Sequence, residues 1–324
     1  VLEWGISHLG QEEAPMKYVV MSTTVQDNIH FPNNDAEICA AGGAGMYALA
    51  GMRVWEEDVG IVSGVGEDYA GLFGKWYHEN AVTTRGLRVK DEHTPCTVIE
   101  YFQNGERKET PLYGKQHYKK LEPTPEDLAG SVNDAAGVYI FRDSNPEFWA
   151  AIFKLKEQYG FHIMWELSAA SAKSDCLASV LQTAQNVEMF SLNRTEALSL
   201  FEADSMEEAI QRLQRSSLGL VYLRNGADGV YLIQKDVVCH VPSVAHADVV
   251  DPTGGGNSST GAALVGFCQG KELREIGAMG NVASAFCIAQ YGVPPHYDGE
   301  MRRLAEERFQ EVLKRATYMK NNEY

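Results

Sequence analysis

The segment Asp251-Pro252-Thr253-Gly254-Gly255-Gly256-Asn257-Ser258 sets three consecutive glycines ahead of a small-residue run that continues to Leu264. Without Cβ atoms, successive backbone N–H groups can converge on one anion, and a helix opening there adds the positive end of its dipole. Phosphate is the ligand such a turn suits. It is not a P-loop, because no Gly-Lys-Ser/Thr follows; a tight strand-to-helix turn without a ligand would use the same residues. A second cluster, Gly42-Gly43-Ala44-Gly45-Met46-Tyr47-Ala48, fits Gly-x-Gly-x-x-Ala loosely when counted from Gly43. No clear β run ends before it, since Asn33 to Cys39 reads as polar and turn-like, so the context for a dinucleotide site is missing. Glycine here is expected to let a substrate approach the backbone.

Short apolar, β-rich runs must position these turns: Tyr18 to Met21, Gly60 to Val62, Gly137 to Phe141, His162 to Trp165, Val187 to Phe190, Leu220 to Leu223 and Val230 to Ile233. Helical patterns separate most of them. Ser205-Met206-Glu207-Glu208 reads as a capping box, with Met206, Ile210 and Leu213 forming an apolar stripe. Strand and helix in alternation predict an open, mainly parallel sheet with helices on both faces, whose ligands sit at the carboxyl ends of the strands. Residues 83–116 break the alternation: Cys96 to Phe102, then Asn104-Gly105, then Arg107 to Leu112 predict a hairpin and a small antiparallel subdomain able to close over a ligand.

The chain has 324 residues, enough for a sizeable core without disulfide staples. Lys plus Arg number 28 against 44 Asp plus Glu, a formal net charge of −16, which argues against generic binding to nucleic acid or anionic lipid. Hydrophobic residues at 44 % and a mean hydropathy of −0.27 favour a compact, soluble chain. The six cysteines are scattered with no Cys-x-x-Cys pair and read as reduced and mostly buried. Residues 1–15 lack a basic leader and an apolar run, which predicts a cytoplasmic address, with Met16-Lys17 as a natural start after a peripheral extension. The nine histidines form no metal set, and no Gly-x-Ser-x-Gly elbow is present.

Taken together the segments resemble the PfkB carbohydrate kinase (ribokinase-like) family, from Met16 to about Pro295. Gly42-Gly43 followed by Gly64-Val65-Gly66-Glu67-Asp68-Tyr69-Ala70-Gly71 is similar to the family's first signature. Residues 251–257 stand where the second signature, Asp-Thr-x-Gly-Ala-Gly-Asp, belongs. Asn193-Arg194-Thr195-Glu196 is similar to Asn-x-x-Glu, and Arg224-Asn225-Gly226-Ala227-Asp228-Gly229 to the glycine turn near the ATP phosphates. Asn281, in a small-residue helix ahead of Tyr291-Gly292-Val293-Pro294-Pro295, looks like the wall of an adenine pocket.

The resemblance implies a three-layer α/β sandwich over residues 16–318, with a β lid drawn from about 28–37 and 83–116 and a tail at 319–324. It also implies ATP and Mg²⁺ as cofactors and phosphorylation of a hydroxyl on a sugar, a related polyol or a nucleoside. By the same resemblance, Gly254, Gly255 and Gly256 would stabilise the transferring phosphoryl group, and Asp27, Gly42, Gly43 and Tyr47 would hold the acceptor. Asn193, Glu196, Arg224, Gly226, Gly229 and Asn281 would serve the nucleotide, with Glu196 ordering magnesium-bound water.

Each assignment has a plainer counterpart. Asp27 is also a turn residue beside Asn28, Asn-x-x-Glu is also a capping box, and Arg224 is also a solvated strand-end arginine. Trp165 either lines a pocket or packs in the core. A homodimer clasped through the lid would cover its exposed hairpin edges. The chain departs from the family pattern at its base: Asn257 replaces the Asp that accepts the hydroxyl proton, and an amide is no general base near neutral pH. A base-free kinase, a noncatalytic binding protein and an engineered trap each accommodate that residue, and Asn257→Asp is expected to raise turnover where the missing carboxylate limits it. Met46-Tyr47 and Trp165-Glu166 also depart from the pattern.

Overall fold

The computed structural model describes residues 16–32, 34–103 and 107–319. The expected extension over 1–15, the Asn104-Gly105 turn and residues 320–324 of the expected tail lie outside the described residues. Fourteen strands are described: β1 (Tyr18–Met21), β2 (Val25–Phe31), β3 (Asn34–Gly42), β4 (Val59–Gly66), β5 (Leu87–Asp91), β6 (Cys96–Tyr101), β7 (Arg107–Pro111), β8 (Gly137–Arg142), β9 (His162–Leu167), β10 (Met189–Asn193), β11 (Leu220–Arg224), β12 (Val230–Gln234), β13 (Val237–Val241) and β14 (Thr317–Met319).

Ten of them form one sheet in the order β14-β13-β12-β11-β10-β9-β8-β1-β4-β5, and four form a second in the order β3-β2-β6-β7. In the large sheet the pairings from β11 through to β5 are parallel, and β12, β13 and β14 extend it antiparallel. Inside the parallel set β1, β4 and β8 to β11 are apolar along most of their length because both faces are covered, whereas the edge strand β5 carries Arg88, Lys90 and Asp91.

Alternation divides the sheet's side chains between two cores. Tyr139, Met164, Met189 and Tyr222 meet the helices Gly43–Arg53, Gly255–Cys268 and Leu273–Cys287. Val138, Ile163, Trp165, Phe190 and Leu223 belong to the opposite core. Trp165 is therefore a core residue, packed on Trp149 and Phe190 with ring centroids 4.9 and 5.0 Å away.

The expectations at the edges need correction. Asn33 lies outside the described residues, and the rest of that stretch is not a turn: residues 34–42 form β3, which runs straight into the helix Gly43–Arg53. Asn34, Asp35 and Glu37 give the start of this strand the hydropathy of a loop. The small sheet begins at Val25 rather than 28 and continues to Gly42, whereas Leu87–Asp91 pairs with β4 at the edge of the large sheet. The small sheet is also mixed, since β2 and β6 are parallel while β2–β3 and β6–β7 are antiparallel. Met319 belongs to β14 and not to a tail. At Ser205 the side chain caps Glu208 N at 3.2 Å, but the Glu208 carboxylate returns to Asp204 N at 3.0 Å, one residue short of a reciprocal box.

Two glycines let the helices that carry the candidate site lie backbone to backbone. A Cβ on Gly51 would fall 1.9 Å from the Ser258 carbonyl oxygen, and one on Gly261 would fall 2.3 Å from that of Ala48. Because carbonyls in helices cannot step aside as a side-chain tip can, Gly261→Val is expected to cost about 1–3 kcal/mol or more. Urea titration checks this as a lowered midpoint with an unchanged slope.

Candidate active site

A cavity of about 600 Å³ opens where the parallel strands end. Its floor comes from Met21, Ser22 and Thr23 after β1, from Ile140 to Asp143 at the end of β8, and from Ser168 after β9. Val25 and Asp27 of β2, Thr97 and Ile99 of β6, and Glu109 of β7 supply the wall from the small sheet. Thr253, Gly254 and Asn257 bring in the glycine turn, and Tyr47 and Gly43 the start of the preceding helix.

Asp27, only 5 % exposed, is buried against Gly42, where a Cβ would fall 1.9 Å from its Oδ2. What approaches the Gly42 backbone is thus the chain's own carboxylate rather than a substrate. Gly42 supplies the space that lets Asp27 reach the cavity.

The glycine turn starts its helix at Gly255, two residues before Asn257, with Gly254 in the left-handed region at φ 77°. Tyr47 packs so closely that a Cβ on Gly254 would fall 2.1 Å from its ring. The first N–H groups of a helix have no partner inside it. Here Gly255 N–H donates to Pro252 O at 3.3 Å and Ser258 N–H to Gly254 O at 2.9 Å. For those of Gly256 and Asn257 no acceptor is found among the described residues. Asp251 braces the approach, its Oδ1 accepting from Thr253 N at 2.9 Å and Thr253 Oγ1 at 2.6 Å.

Behind the turn lies a chain of buried polar groups. Asn257 Nδ2 donates to Glu166 Oε1 at 2.9 Å and to the Tyr139 hydroxyl at 3.2 Å. Tyr139 donates in turn to Glu166 Oε2 at 2.8 Å. Arg224 Nη2 lies 3.0 Å from Glu166 Oε1 and 3.5 Å from Glu196 Oε2. Glu196 closes a reciprocal cap with Asn193, accepting from Asn193 N at 2.7 Å while its own N–H donates to Asn193 Oδ1 at 2.9 Å.

Burial sets the electrostatics. It drives the Tyr139 hydroxyl well above its ordinary value, with the Glu166 charge adding to it, so Tyr139 stays a donor. Burial also raises the Glu196 carboxyl against the pull of Arg224. For Arg224 burial opposes the charge, but Glu166 and Glu196 outweigh it and hold the guanidinium firmly protonated. It is not a solvated strand-end residue.

The expected residues fall into two groups. Asp27, Gly43, Tyr47, Gly254 and Asn257 line the cavity. Asn193, Glu196 and Arg224 lie beyond the glycine turn, next to the Gly226–Asp228 turn that joins β11 to β12, with Gly226 at φ 58° and Gly229 at φ 96°. Asn281, 5 % exposed, spends its amide N–H groups on Val241 O at 2.9 Å and Pro242 O at 3.0 Å, tying its helix to the end of β13. Sequence reasoning missed the residues that join the groups, Glu166 and Tyr139. The available signal was a glutamate inside an apolar parallel strand, where a charge needs a partner. It also missed Glu109, Glu122, Arg142 and Asp143 at the cavity.

Among the described residues no set of three or more His, Cys, Asp or Glu could hold a metal ion, and no helix is long and apolar enough to cross a membrane. All six cysteines are free, with Cys96, Cys239 and Cys287 buried and Cys39 exposed.

A mainly parallel sheet with its cavity at the strand ends, a glycine-opened helix at that cavity and a second small sheet over it define a kinase of the ribokinase-like class. The chain belongs to the pfkB family of carbohydrate kinases, which it matches over residues 27–296. It is 25 % identical over 321 residues to an uncharacterised protein of Schizosaccharomyces pombe, covering 87 % of this chain and 86 % of that one. It is 23 % identical to a nucleoside kinase of Methanocaldococcus jannaschii, covering 86 % of this chain and 91 % of that one. The crystal structure of a putative ribokinase II from E. coli in complex with ATP and Mg²⁺ superposes with a TM-score of 0.73 at 16 % identity, covering 91 % of this chain and 99 % of that one. Kinases of this family use ATP and Mg²⁺.

Removing Arg224 would leave two buried carboxylates without their cation. Arg224→Met is accordingly expected to lose about 3–5 kcal/mol of stability, measured by chemical denaturation. Glu196 gives a test in pH. A carboxyl raised in the folded state contributes stability at low pH that is lost as pH rises through its folded value, so the stability of the parent relative to Glu196→Gln should fall as pH rises above the ordinary carboxyl range. A difference that stays flat as pH rises would contradict the assignment.

Proposed function

We propose that this protein transfers the γ-phosphoryl group of ATP to a hydroxyl of an uncharged sugar or nucleoside held in the 600 Å³ cavity. The observation that carries the reading is the placement of the Gly254–Asn257 turn. Gly254 and Asn257 line the cavity, and between them Gly256 lies against the buried Arg224, where a Cβ would fall 2.3 Å from its Nη1. Asp27 holds acceptor hydroxyls, its two oxygens suiting a vicinal pair. Gly256 and Asn257 N–H groups and the helix start receive the charge on the transferring group. Asn193, Gly226 and Gly229 shape the nucleotide side, and Asn281 positions its wall through Val241 and Pro242.

Magnesium, when bound with ATP, offsets phosphate charge. The residues present suit an ion held mainly by phosphate and water, with Glu196 as an outer carboxylate whose Oε2 is already used by the cap and Arg224. In the transfer the acceptor oxygen bonds to the γ-phosphorus as the bond to the leaving oxygen of ADP breaks, and the hydroxyl proton passes to a phosphate oxygen or to water. A loose transition state asks little of a base while the acceptor is still distant, which accommodates an amide at 257.

The cavity wall narrows the acceptor class. Asp27, Glu109, Glu122 and Asp143 line it against, among the described residues, one cation, Arg142, which is already paired with Glu122 at 2.6 Å. Phe148, stacked on Arg142 at 4.7 Å, and Tyr118 offer flat apolar surface to a sugar ring or a base. An acceptor already bearing phosphate or carboxylate meets like charge there. Asn257 favours one rival, a binding protein that retains both ligands without turnover.

ADP release over a panel of sugars and nucleosides separates the two readings. Neutral acceptors are expected to turn over, their phosphorylated counterparts at least about tenfold less, given the several kcal/mol that like-charge contact costs. Asp27→Asn is expected to lower kcat/KM for the acceptor by about 10–100-fold, the worth of a charged hydrogen bond. Heat stabilisation by ATP with no ADP from any acceptor would leave the binding reading.

A further inference from the structure

We propose that Glu166 is a positioning residue for Asn257, and that the two form a charge-exchanged pair in which the carboxylate sits one layer behind the site and the amide faces the acceptor. Both Nδ2 hydrogens of Asn257 are spent, one on Glu166 Oε1 at 2.9 Å and one on the Tyr139 hydroxyl at 3.2 Å. The rotation of the amide is thereby set. Its Oδ1 is left for the cavity that Asn257 lines, where it accepts a hydrogen bond from the acceptor hydroxyl and aims that oxygen without taking its proton.

Glu166 is 1 % exposed, so no water can take over its bonds to Asn257, Tyr139 and Arg224. Charge makes the pair exclusive. Arg224 already faces two carboxylates, Glu166 and Glu196. An aspartate at 257 would add a third and would replace the donor to Glu166 by another acceptor at the same distance, and carboxylates that close cannot both ionise. A carboxylate at 257 therefore requires a neutral residue at 166. The single change that the family pattern suggests would not restore a base here.

The role in turnover rests on the kinase reading above, whereas the exclusivity of the pair does not, so two readouts are taken on the same four proteins: the parent, Glu166→Gln, Asn257→Asp and the double variant. In thermal melts Glu166→Gln is expected to lower the midpoint in the parent background and to raise it in the Asn257→Asp background. An equal shift in both backgrounds overturns the proposal. Should Asn257→Asp fail to fold, recovery of soluble protein in the double variant supports the pairing and its absence refutes it. In ADP release Asn257→Asp alone is expected to be no faster than the parent. The double variant should exceed it by at least about tenfold, below the usual 10²–10⁴ of base catalysis, with the gain in kcat and not in KM for ATP. A full gain from Asn257→Asp alone overturns the proposal. No ADP from any of the four refutes the kinase reading, and the melting midpoints then decide the pair.

Discussion

Everything at the centre of this molecule is arranged around one buried cation. Arg224 leaves the end of β11 and is held between Glu166 from β9 and Glu196 at the start of the helix Arg194–Phe201. Away from water an unpaired charge is expensive, so the three side chains determine one another's positions. Glu166 passes the constraint to Tyr139 and Asn257, and Glu196 passes it to Asn193 through the cap. Six elements are thus locked by a single electrostatic requirement.

That requirement explains the close packing in front of it. The helix Gly255–Cys268 has to bring Asn257 within a hydrogen bond of Glu166 while its first turn meets the cavity. It does so by lying against the helix Gly43–Arg53, with Gly51 and Gly261 at the contacts and Tyr47 filling the hollow over Gly254. The same glycine turn therefore serves as a packing device and, on the proposed reading, as an anion cradle. Further serine and threonine hydroxyls along the helix meet the sheet, Ser259 at Tyr222 and Thr260 at Ser191, so polar groups continue along the buried seam.

The chemistry follows from where the carboxylates lie. They line the cavity at Asp27, Glu109, Glu122 and Asp143, while Asn257, at the glycine turn, is an amide. On the proposed reading such a site would orient a hydroxyl and disfavour anionic acceptors, leaving stabilisation of the transferring group to backbone N–H groups and the helix start. Positioning and electrostatics, more than proton abstraction, are what phosphoryl transfer asks of a protein.

By itself the sequence determined the alternation of strand and helix, the parallel core strands, the glycine turn and the order of the family's motifs, because these rest on local periodicity and on the steric freedom of glycine. Asn193–Glu196 was legible as a cap for the same reason: its partners are three residues apart. Tertiary structure decided the rest. Polar β3 is a strand only because β2 lies beside it, and Asp27 reaches the cavity only because Gly42 folds back over it. Glu166, Tyr139, Arg224 and Asn257 have no local relation at all. They meet because period-2 alternation turns one residue from each of three strands toward the same helix, and the cost of burying a charge then selects the partners.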